Sequence, residues 1–393
     1  MDIDNTKKRR LKILMVIDCY DDSKNGATIS TRRFTDLLRA DYDVSILTTG
    51  EAAPGKILLP RFYAPGVKRI MKKMQAPLAV PSRRVLRKAM KDTDIVHIQF
   101  PFLLGIESVR MARKLKIPVV ATFHIQAEHL AMNAGIHSSA FIRYCYKIWM
   151  KTIYNRANMV ICPSRFAEDE LKRYGLKSPT TIISNGILPV FHPVTVDRPE
   201  TMKGKFIILS VGRLAPEKRH DIIIRAIKES KYRDRISLFL IGDGPVKEKL
   251  QHLGAELPIP PIFLFLTPDE LVYYYNLADL YVHAATIEVE CMTVLEAMGC
   301  GLPVLIAKST KSATGQFALD DRFLYTSDDI AALTARIDYW IEHPDELQNS
   351  KSLYLQKSTH YRIEQSLEKM SSLYLNLTRQ NKDQSRVTPS TRE

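Results

Sequence analysis

Two carboxylates, Glu288 and Glu296, stand eight positions apart in the stretch Thr286–Ala307. Thr293 reads as a helix N-cap and Val294–Met298 as the first helical turn, Gly299 and Gly301 stop that helix, and Leu302–Ala307 reads as a buried strand. In one continuous helix the acids would sit about 80° apart around the axis and roughly 12 Å along it. A loop before the helix lets both acids, and the free amides at Cys291, Met292 and Thr293, face one pocket instead. Carboxylates accept hydrogen bonds from sugar hydroxyls, and helix N-terminal amides bind phosphate oxygens. Together they suit a nucleotide sugar. The structural alternative is that Thr293-x-x-Glu296 is only a capping box, with Glu288 a solvated loop acid.

Cations and glycines at other strand ends extend the pattern. Phe206–Val211 reads as a strand, and Gly212-Arg213-Leu214-Ala215-Pro216-Glu217-Lys218 follows it. Gly212 permits a sharp turn, and Arg213 and Lys218 flank a helix entry, where two cations can hold a diphosphate without a metal. They could equally be solvated surface charges. Ile241-Gly242-Asp243-Gly244-Pro245 ends another strand in a glycine turn, which alone is weakly specific. Near the amino end, Gly26 in Lys24–Thr28 would let the backbone approach a phosphate at a helix start. Thr122-Phe123-His124 puts His124 at a strand's ligand-facing edge beside polar Gln126, Glu128 and His129, although a lone histidine is more often structural. Ser184-Asn185-Gly186 reads mainly as a turn.

Behind these residues, strands alternate with helices twice over. Leu11–Ile17, Val44–Leu47, Ile95–Gln99, Pro118–Thr122, Met159–Cys162 and Thr180–Ser184 read as strands of a first half. Phe206–Val211, Ser237–Ile241, Leu280–His283 and Pro303–Ala307 read as strands of a second. This alternation gives α/β parallel sheets covered on both faces, with ligands bound outside the strands' carboxyl ends. The Pro-bearing stretch 189–201 reads as a linker. The expected division is residues 1–190, residues 191–355, a C-terminal helix at 356–377, and a disordered polar tail at 378–393.

A length of 393 residues favours two domains over one core. The five cysteines, widely spaced and without a CxxC pair, read as reduced small hydrophobes, with no disulfide framework or zinc site. No signal-peptide apolar region or membrane span is evident, so a cytoplasmic location is expected. The formal net charge of +14 calls for an anionic partner. Between Arg61 and Lys91 stand ten Lys/Arg and no acid, with Val67, Ile70, Met71 and Met74 at helical spacing. That is the pattern of an interfacial amphipathic helix on anionic lipid. A basic surface helix packed on its own domain is the alternative. Nucleic acid is disfavoured for want of a recognised binding module.

Taken together, these motifs resemble the retaining glycosyltransferases of family 4, which have the GT-B fold. The carrying residues are Val211-Gly212-Arg213-Leu214-x-x-Glu217-Lys218, Ile241-Gly242-Asp243-Gly244-Pro245, and Glu288-x7-Glu296-Ala297-Met298-x-x-Gly301-Leu302-Pro303-Val304, with Asn185-Gly186 and Asn25-Gly26 in support. The resemblance spans roughly residues 11–375. It implies two Rossmann-like domains facing across a cleft, with the C-terminal helix packing back on the first. It further implies that Arg213 and Lys218 grip the nucleotide diphosphate, that Glu288 binds donor-sugar hydroxyls and that Glu296 binds the ribose. The Gly26 loop would cover the phosphates, and His124 would lie near the donor sugar. Two departures stand out: Val289-Glu290-Cys291 replaces the family's Pro-Phe-Gly, and Lys308–Thr314 replaces its Gly-Gly.

Within that family, a basic apolar first domain looks like the diacylglycerol glucosyltransferases and other lipid-acceptor members. The expected activity is retaining, metal-independent transfer of a hexose from UDP-glucose or UDP-galactose, with no cofactor. The acceptor would be a membrane lipid, and the enzyme would sit peripherally on the inner face of the cell membrane. Alternatives are a soluble or polyprenyl-linked glycan acceptor, or a non-enzymatic basic binding protein with a degenerate nucleotide site. A dinucleotide dehydrogenase is disfavoured, since no Gly-x-Gly-x-x-Gly follows the first strand.

Overall fold

A computed structural model describes residues 9–22, 25–63 and 77–387. The apolar run after the basic N-terminus forms the strand Lys12–Cys19, buried at all but its first position. Burial on both faces is what a continuous apolar run gives at the centre of a parallel sheet. The first sheet has seven strands in the order Lys56–Leu58, Asp43–Thr49, Lys12–Cys19, Ile95–Ile98, Val119–Thr122, Met159–Cys162 and Thr180–Ile182. The second has six, in the order Ile262–Leu264, Ile236–Ile241, Phe206–Val211, Leu280–His283, Val304–Lys308 and Leu324–Thr326. Every pairing in both is parallel. The expected architecture of two parallel α/β sheets is therefore present.

In each sheet the chain order reverses beside the first strand. Lys12–Cys19 lies between Asp43–Thr49 and Ile95–Ile98, and Phe206–Val211 lies between Ile236–Ile241 and Leu280–His283. The crevice outside the strands' carboxyl ends at such a reversal is where α/β sheets take ligands. Cys19, Gln99, Gly212 and His283 all stand at or just beyond those ends.

The C-terminal helix, Ile363–Val387, returns to the first sheet. Its Ile363, Met370, Leu373, Tyr374 and Leu377 pack with Ile13, Met15 and Ile17, and the Tyr374 hydroxyl lies 2.7 Å from His97 Nδ1. The returning chain pairs with Ile187 at Arg362. A Cβ on Gly186, at φ +75°, would come 2.7 Å from the Ile363 Cα, so the crossing requires glycine there. The expected tail at 378–393 is corrected in part: the helix continues to Val387, and Thr378 stays buried with its hydroxyl on the Tyr374 carbonyl. Residues 388–393 lie outside the described residues.

The amphipathic stretch Val67–Met74 also lies outside the described residues. Its flanks form a small antiparallel pair, Arg61–Phe62 with Leu78–Ala79. Ala79 N–H donates to Asp18 Oδ1 at 2.9 Å, which ties this pair to the carboxyl end of Lys12–Cys19. Further on, Arg83–Met90 is helical and buries Leu86 and Met90 in the first domain while its Arg and Lys side chains face outward. For this helix the apolar face is covered by its own domain.

Candidate functional site

The cleft is built from loops at the carboxyl ends of both sheets. After Val211, Gly212 turns the chain (φ +155°), and Gly242 (φ +148°) packs backbone to backbone against it. A Cβ on Gly242 would come 1.9 Å from the Gly212 carbonyl oxygen, so the second glycine turn is obligatory. Pro216–Lys218 forms a 3-10 turn that aims Lys218 at Glu288. Glu288 ends a two-residue strand, Ile287–Glu288, paired in parallel with Lys311–Ser312. The departing segment 308–314 is thus the partner that holds Glu288 in place, with Ala313 N–H donating to the Glu288 carbonyl at 2.8 Å.

The Lys218 ammonium forms an ion pair with Glu288 Oε1, their side chains 21 % and 11 % exposed. Burial alone would raise the Glu288 carboxyl; Lys218, then His283 and His129, outweigh it and hold the group below its usual value. Lys218 shows the converse, with Glu288 and further anions overcoming burial to raise it. His283 Nε2 lies 3.6 Å from Glu288 Oε1, and burial pushes its imidazole down to about 4. His283 Nδ1 lies 3.8 Å from Cys291 Sγ. Ligand atoms of His283, Glu288 and Cys291 all fall within 4.8 Å of one another, the donor types of a small cation site. The Lys218 ammonium already supplies a positive charge there.

The helix expected to start after a Thr293 cap runs from Met292 to Gly299, with Cys291 at the cap position. Thr293 is inside the helix, and its hydroxyl lies 2.8 Å from the Tyr281 hydroxyl and 3.3 Å from Cys291 Sγ. The capping-box alternative therefore fails. Glu296 is instead buried between Tyr275, whose hydroxyl lies 3.1 Å from Oε2, and Arg33, whose Nη2 lies 2.7 Å from Oε1. Arg33 belongs to the helix Gly26–Leu38 of the first domain. Met292 faces that helix too, as a Cβ on Gly26 would lie 3.6 Å from Met292 Cε. Asn25 caps the same helix through Ala27 N–H and Thr28 N–H, so two of its first-turn amides are already engaged.

The structure brings Gly26, Lys218, Glu288, Cys291, Met292, Thr293 and Glu296 to one cleft, with Arg213 and Gly242 on its adjoining turns. His124 is bonded within the first domain. Its Nε2 lies 2.8 Å from Gln99 Oε1, and burial pushes it down to about 4. It lines a cavity of about 20 Å³, room for one water, where Thr31, His97, Gln99, Thr122 and Asn185 meet apolar side chains such as Met15 and Phe34. The histidine whose charge interacts with Glu288, Glu217 and Lys218 is His129, on the short helix Ala127–Asn133. Gln126, at that helix's cap, donates from its side-chain Nε2 to the Lys311 carbonyl at 3.1 Å, and its buried side-chain oxygen Oε1 has no hydrogen-bond partner among the described residues. Glu290 and Asn185 also join across the cleft. Of these, sequence reasoning noticed the polarity of Gln126 and His129, Asn185 as part of a turn, and the departure at Glu290, but none of the contacts between them.

A second surface lies at the strands' amino ends, where a groove of about 1330 Å³ runs beside Arg83–Met90, Leu103–Lys114 and the C-terminal helix. Nine Lys/Arg line it, among them Arg84, Arg87, Lys88 and Lys114, against Asp94 and Glu107. Both acids are already engaged, Asp94 by Arg9 and Glu107 by Arg110. The groove therefore presents uncompensated positive charge. Among the described residues, no helix is long and apolar enough to cross a membrane.

Residues 24–189 match the family profile described as Glycosyltransferase Family 4, and residues 195–354 match Glycosyl transferases group 1. The chain is 30% identical over 230 residues to alpha-monoglucosyldiacylglycerol synthase of Streptococcus pneumoniae, covering 54% of this chain and 51% of that protein. It thus spans about half the length of that relative. It is 27% identical over 306 residues to GDP-mannose-dependent alpha-mannosyltransferase of Mycolicibacterium smegmatis, covering 75% and 79% of the two. The crystal structure of Anabaena Alr3699/HepE in complex with UDP superposes with a TM-score of 0.74 at 16% identity, covering 93% of this chain and 100% of that one. At that identity the likeness is one of fold.

Proposed function

Because the chain belongs to the family 4 glycosyltransferases of GT-B fold, we propose that it transfers a hexose from a nucleotide diphosphate sugar to a lipid at an anionic membrane surface, with retention at the anomeric carbon. The observation that carries this reading is the Lys218–Glu288 pair at the cleft floor, with Arg213 on the adjoining turn and Glu296 within the neighbouring helix Met292–Gly299. On this reading Arg213 and Lys218 hold the diphosphate, and with the helix amides they stabilise the charge that develops as it leaves. Glu288, kept ionised by Lys218, accepts from donor-sugar hydroxyls, and Glu296 from the ribose. Burial lowers the His129 imidazole, which lies in the field of Glu288, Glu217 and Lys218. Domain closure excludes water, and the departing phosphate oxygen takes the acceptor's proton on the same face. No metal is required, because the two cations balance the leaving group.

The basic groove and the charged stretch 61–91 support a peripheral membrane site and a lipid acceptor such as diacylglycerol or a glycolipid. The glucosyl-lipid relative supports glucose as the sugar, and the donor on this reading is UDP-glucose, with UDP-galactose as the close alternative. The mannosyltransferase relative, which covers three quarters of this chain, favours GDP-mannose as a second reading. One experiment decides between them. The protein is incubated with UDP-glucose, UDP-galactose and GDP-mannose plus a membrane lipid extract, and products are identified by mass spectrometry. A glycolipid formed from one UDP-sugar is the expected result. A product only from GDP-mannose selects the second reading, and transfer only to a soluble or polyprenyl-linked glycan removes the lipid acceptor.

A further inference from the structure

The helix Gly26–Leu38 sends one long side chain across the cleft. Gly26 and Arg33 are seven residues apart, close to two turns, so they share the face that meets the start of Met292–Gly299. Arg33 Nη2 lies 2.7 Å from Glu296 Oε1, Nη1 lies 3.7 Å from Met292 Sδ, and the guanidinium carbon stands 6.0 Å from the Phe191 ring centroid. The two side chains are only 11 % and 3 % exposed. With the Tyr275 hydroxyl 3.1 Å from Oε2, both oxygens of Glu296 are engaged, one from its own domain and one from the other.

On the nucleotide-sugar reading, Glu296 is the carboxylate that receives the ribose hydroxyls. A ribose approaching Oε1 meets the Arg33 guanidinium already seated there. We propose that Arg33 is a cross-cleft latch, which holds Glu296 and must release it before a nucleotide's ribose can bind. Arg33 then sets donor affinity from the half of the chain that carries none of the glutamate or Arg/Lys donor motifs. The other cross-cleft bonds, from Gln126 to the Lys311 carbonyl, Ser164 to the Val289 carbonyl and Asn185 to Glu290, do not occupy a ribose-binding oxygen. They remain when Arg33 lets go. Apparent affinity falls by the fraction of molecules that are latched, so a chain latched about nine-tenths of the time binds about tenfold more weakly than an unlatched one.

The proposal rests on the nucleotide reading and is tested apart from it. UDP and GDP are titrated calorimetrically into the wild type, Arg33→Gln, Glu296→Gln and the double variant, with thermal melts to verify folding. Arg33→Gln should bind the preferred nucleotide roughly five- to tenfold more tightly, and the gain should vanish when Glu296 is also Gln. Arg33→Lys, which keeps the charge but loses the planar fork, should fall between. Weaker binding by Arg33→Gln would mean that the guanidinium contacts the nucleotide itself, and it overturns the latch, as does unchanged affinity. In both cases the nucleotide reading stands. If neither nucleotide binds the wild type or Arg33→Gln, that reading falls and the latch falls with it.

Discussion

Glu290 of the second half is bonded twice to Asn185 of the first: its Oε2 accepts from the Asn185 backbone N–H at 2.8 Å and from Nδ2 at 2.7 Å. Asn185 Oδ1 in turn accepts from Ser30 Oγ at 2.5 Å. Glu290 is 1 % exposed, and its Oε1 has no hydrogen-bond partner among the described residues. An acid here replaces the aromatic residue that the family resemblance leads one to expect, and it makes the peptide following Glu288 a strut between the domains.

That strut should carry a pH signature. Burial, only partly offset by hydrogen bonds from Ser184 and Asn185, pushes the Glu290 carboxyl up from 4.5 to about 7. A raised folded value means that its contribution to stability is fully present below about 4.5 and is lost as pH climbs through about 7. A shift of this size corresponds to about 3 kcal/mol at most. Glu290→Gln mimics the protonated form and can still accept from Asn185. The wild-type melting temperature should therefore fall relative to Glu290→Gln between pH 5 and 8, and the curves should converge below pH 5. Asp18, also pushed up to about 7 by burial, acts equally in both proteins and cancels in the difference. Parallel curves across the range would show that Glu290 titrates normally.

The Lys218–Glu288 pair separates binding from folding. Lys218→Ala or Arg213→Ala should each cost roughly 10- to 100-fold in kcat/KM, the worth of one charge-assisted phosphate contact of about 1.5–3 kcal/mol. Lys218→Met also leaves a buried carboxylate without its cation and should lower stability by about 2–3 kcal/mol. Glu288→Gln leaves the ammonium uncompensated and should lose stability by a similar amount, but turnover by far more. In Lys218→Met/Glu288→Gln both charges are gone, so stability should return while activity does not. Recovery of activity along with stability in the double variant would count against a donor site.

The two histidines near the site make a sharper comparison. His129→Gln should lower kcat/KM about tenfold, because His129 faces the Lys218–Glu288 pair, whereas His124→Gln should act mainly through the Gln99 cavity and change the melting temperature more than turnover. Equal kinetic losses without a stability change would return His124 to the sugar site.

How much of this was legible in the sequence depends on how local each signal is. Strands buried on both faces, such as Lys12–Cys19 and Ile236–Ile241, announce themselves as continuous apolar runs. The edge strands Lys56–Leu58 and Ile262–Leu264, three residues each and without a fully buried position, gave no such signal. Glu288, Lys218 and Gly242 were readable because glycine turns and charges at strand ends are local patterns. The partner of Glu296 was not, since Arg33 is 263 positions away in the sequence. Thr293 was misplaced by two positions because a threonine before an apolar turn mimics a cap, while the cap position fell to Cys291, which makes no side-chain cap bond. The C-terminal helix outran its expected end at 377 because its polar last turns are carried by the packed segment before them, where Tyr374 and Leu377 anchor it.

The membrane reading is tested through cations whose positions are described. Arg84, Arg87, Lys88 and Lys114 line the basic groove, whose two acids are already held by Arg9 and Arg110. Each cation close to an acidic bilayer contributes about 1 kcal/mol, screened beyond roughly 10 Å at 0.1 M salt. Only some face the bilayer at once, so reversing Arg84, Arg87 and Lys114 to Glu should weaken binding to phosphatidylglycerol vesicles by about 100-fold at low salt. Neutral phosphatidylcholine vesicles should bind weakly whether or not the charges are reversed. Reversal at Lys68, Arg69, Lys72 and Lys73 tests the neighbouring stretch in the same assay. The groove lies at the strands' amino ends, away from the cleft, so the triple variant should keep its affinity for the donor nucleotide while losing transfer to lipid presented in vesicles. Co-sedimentation that is indifferent to lipid charge, together with full transfer by the triple variant, would dissociate this surface from the reaction and leave the donor site as it stands.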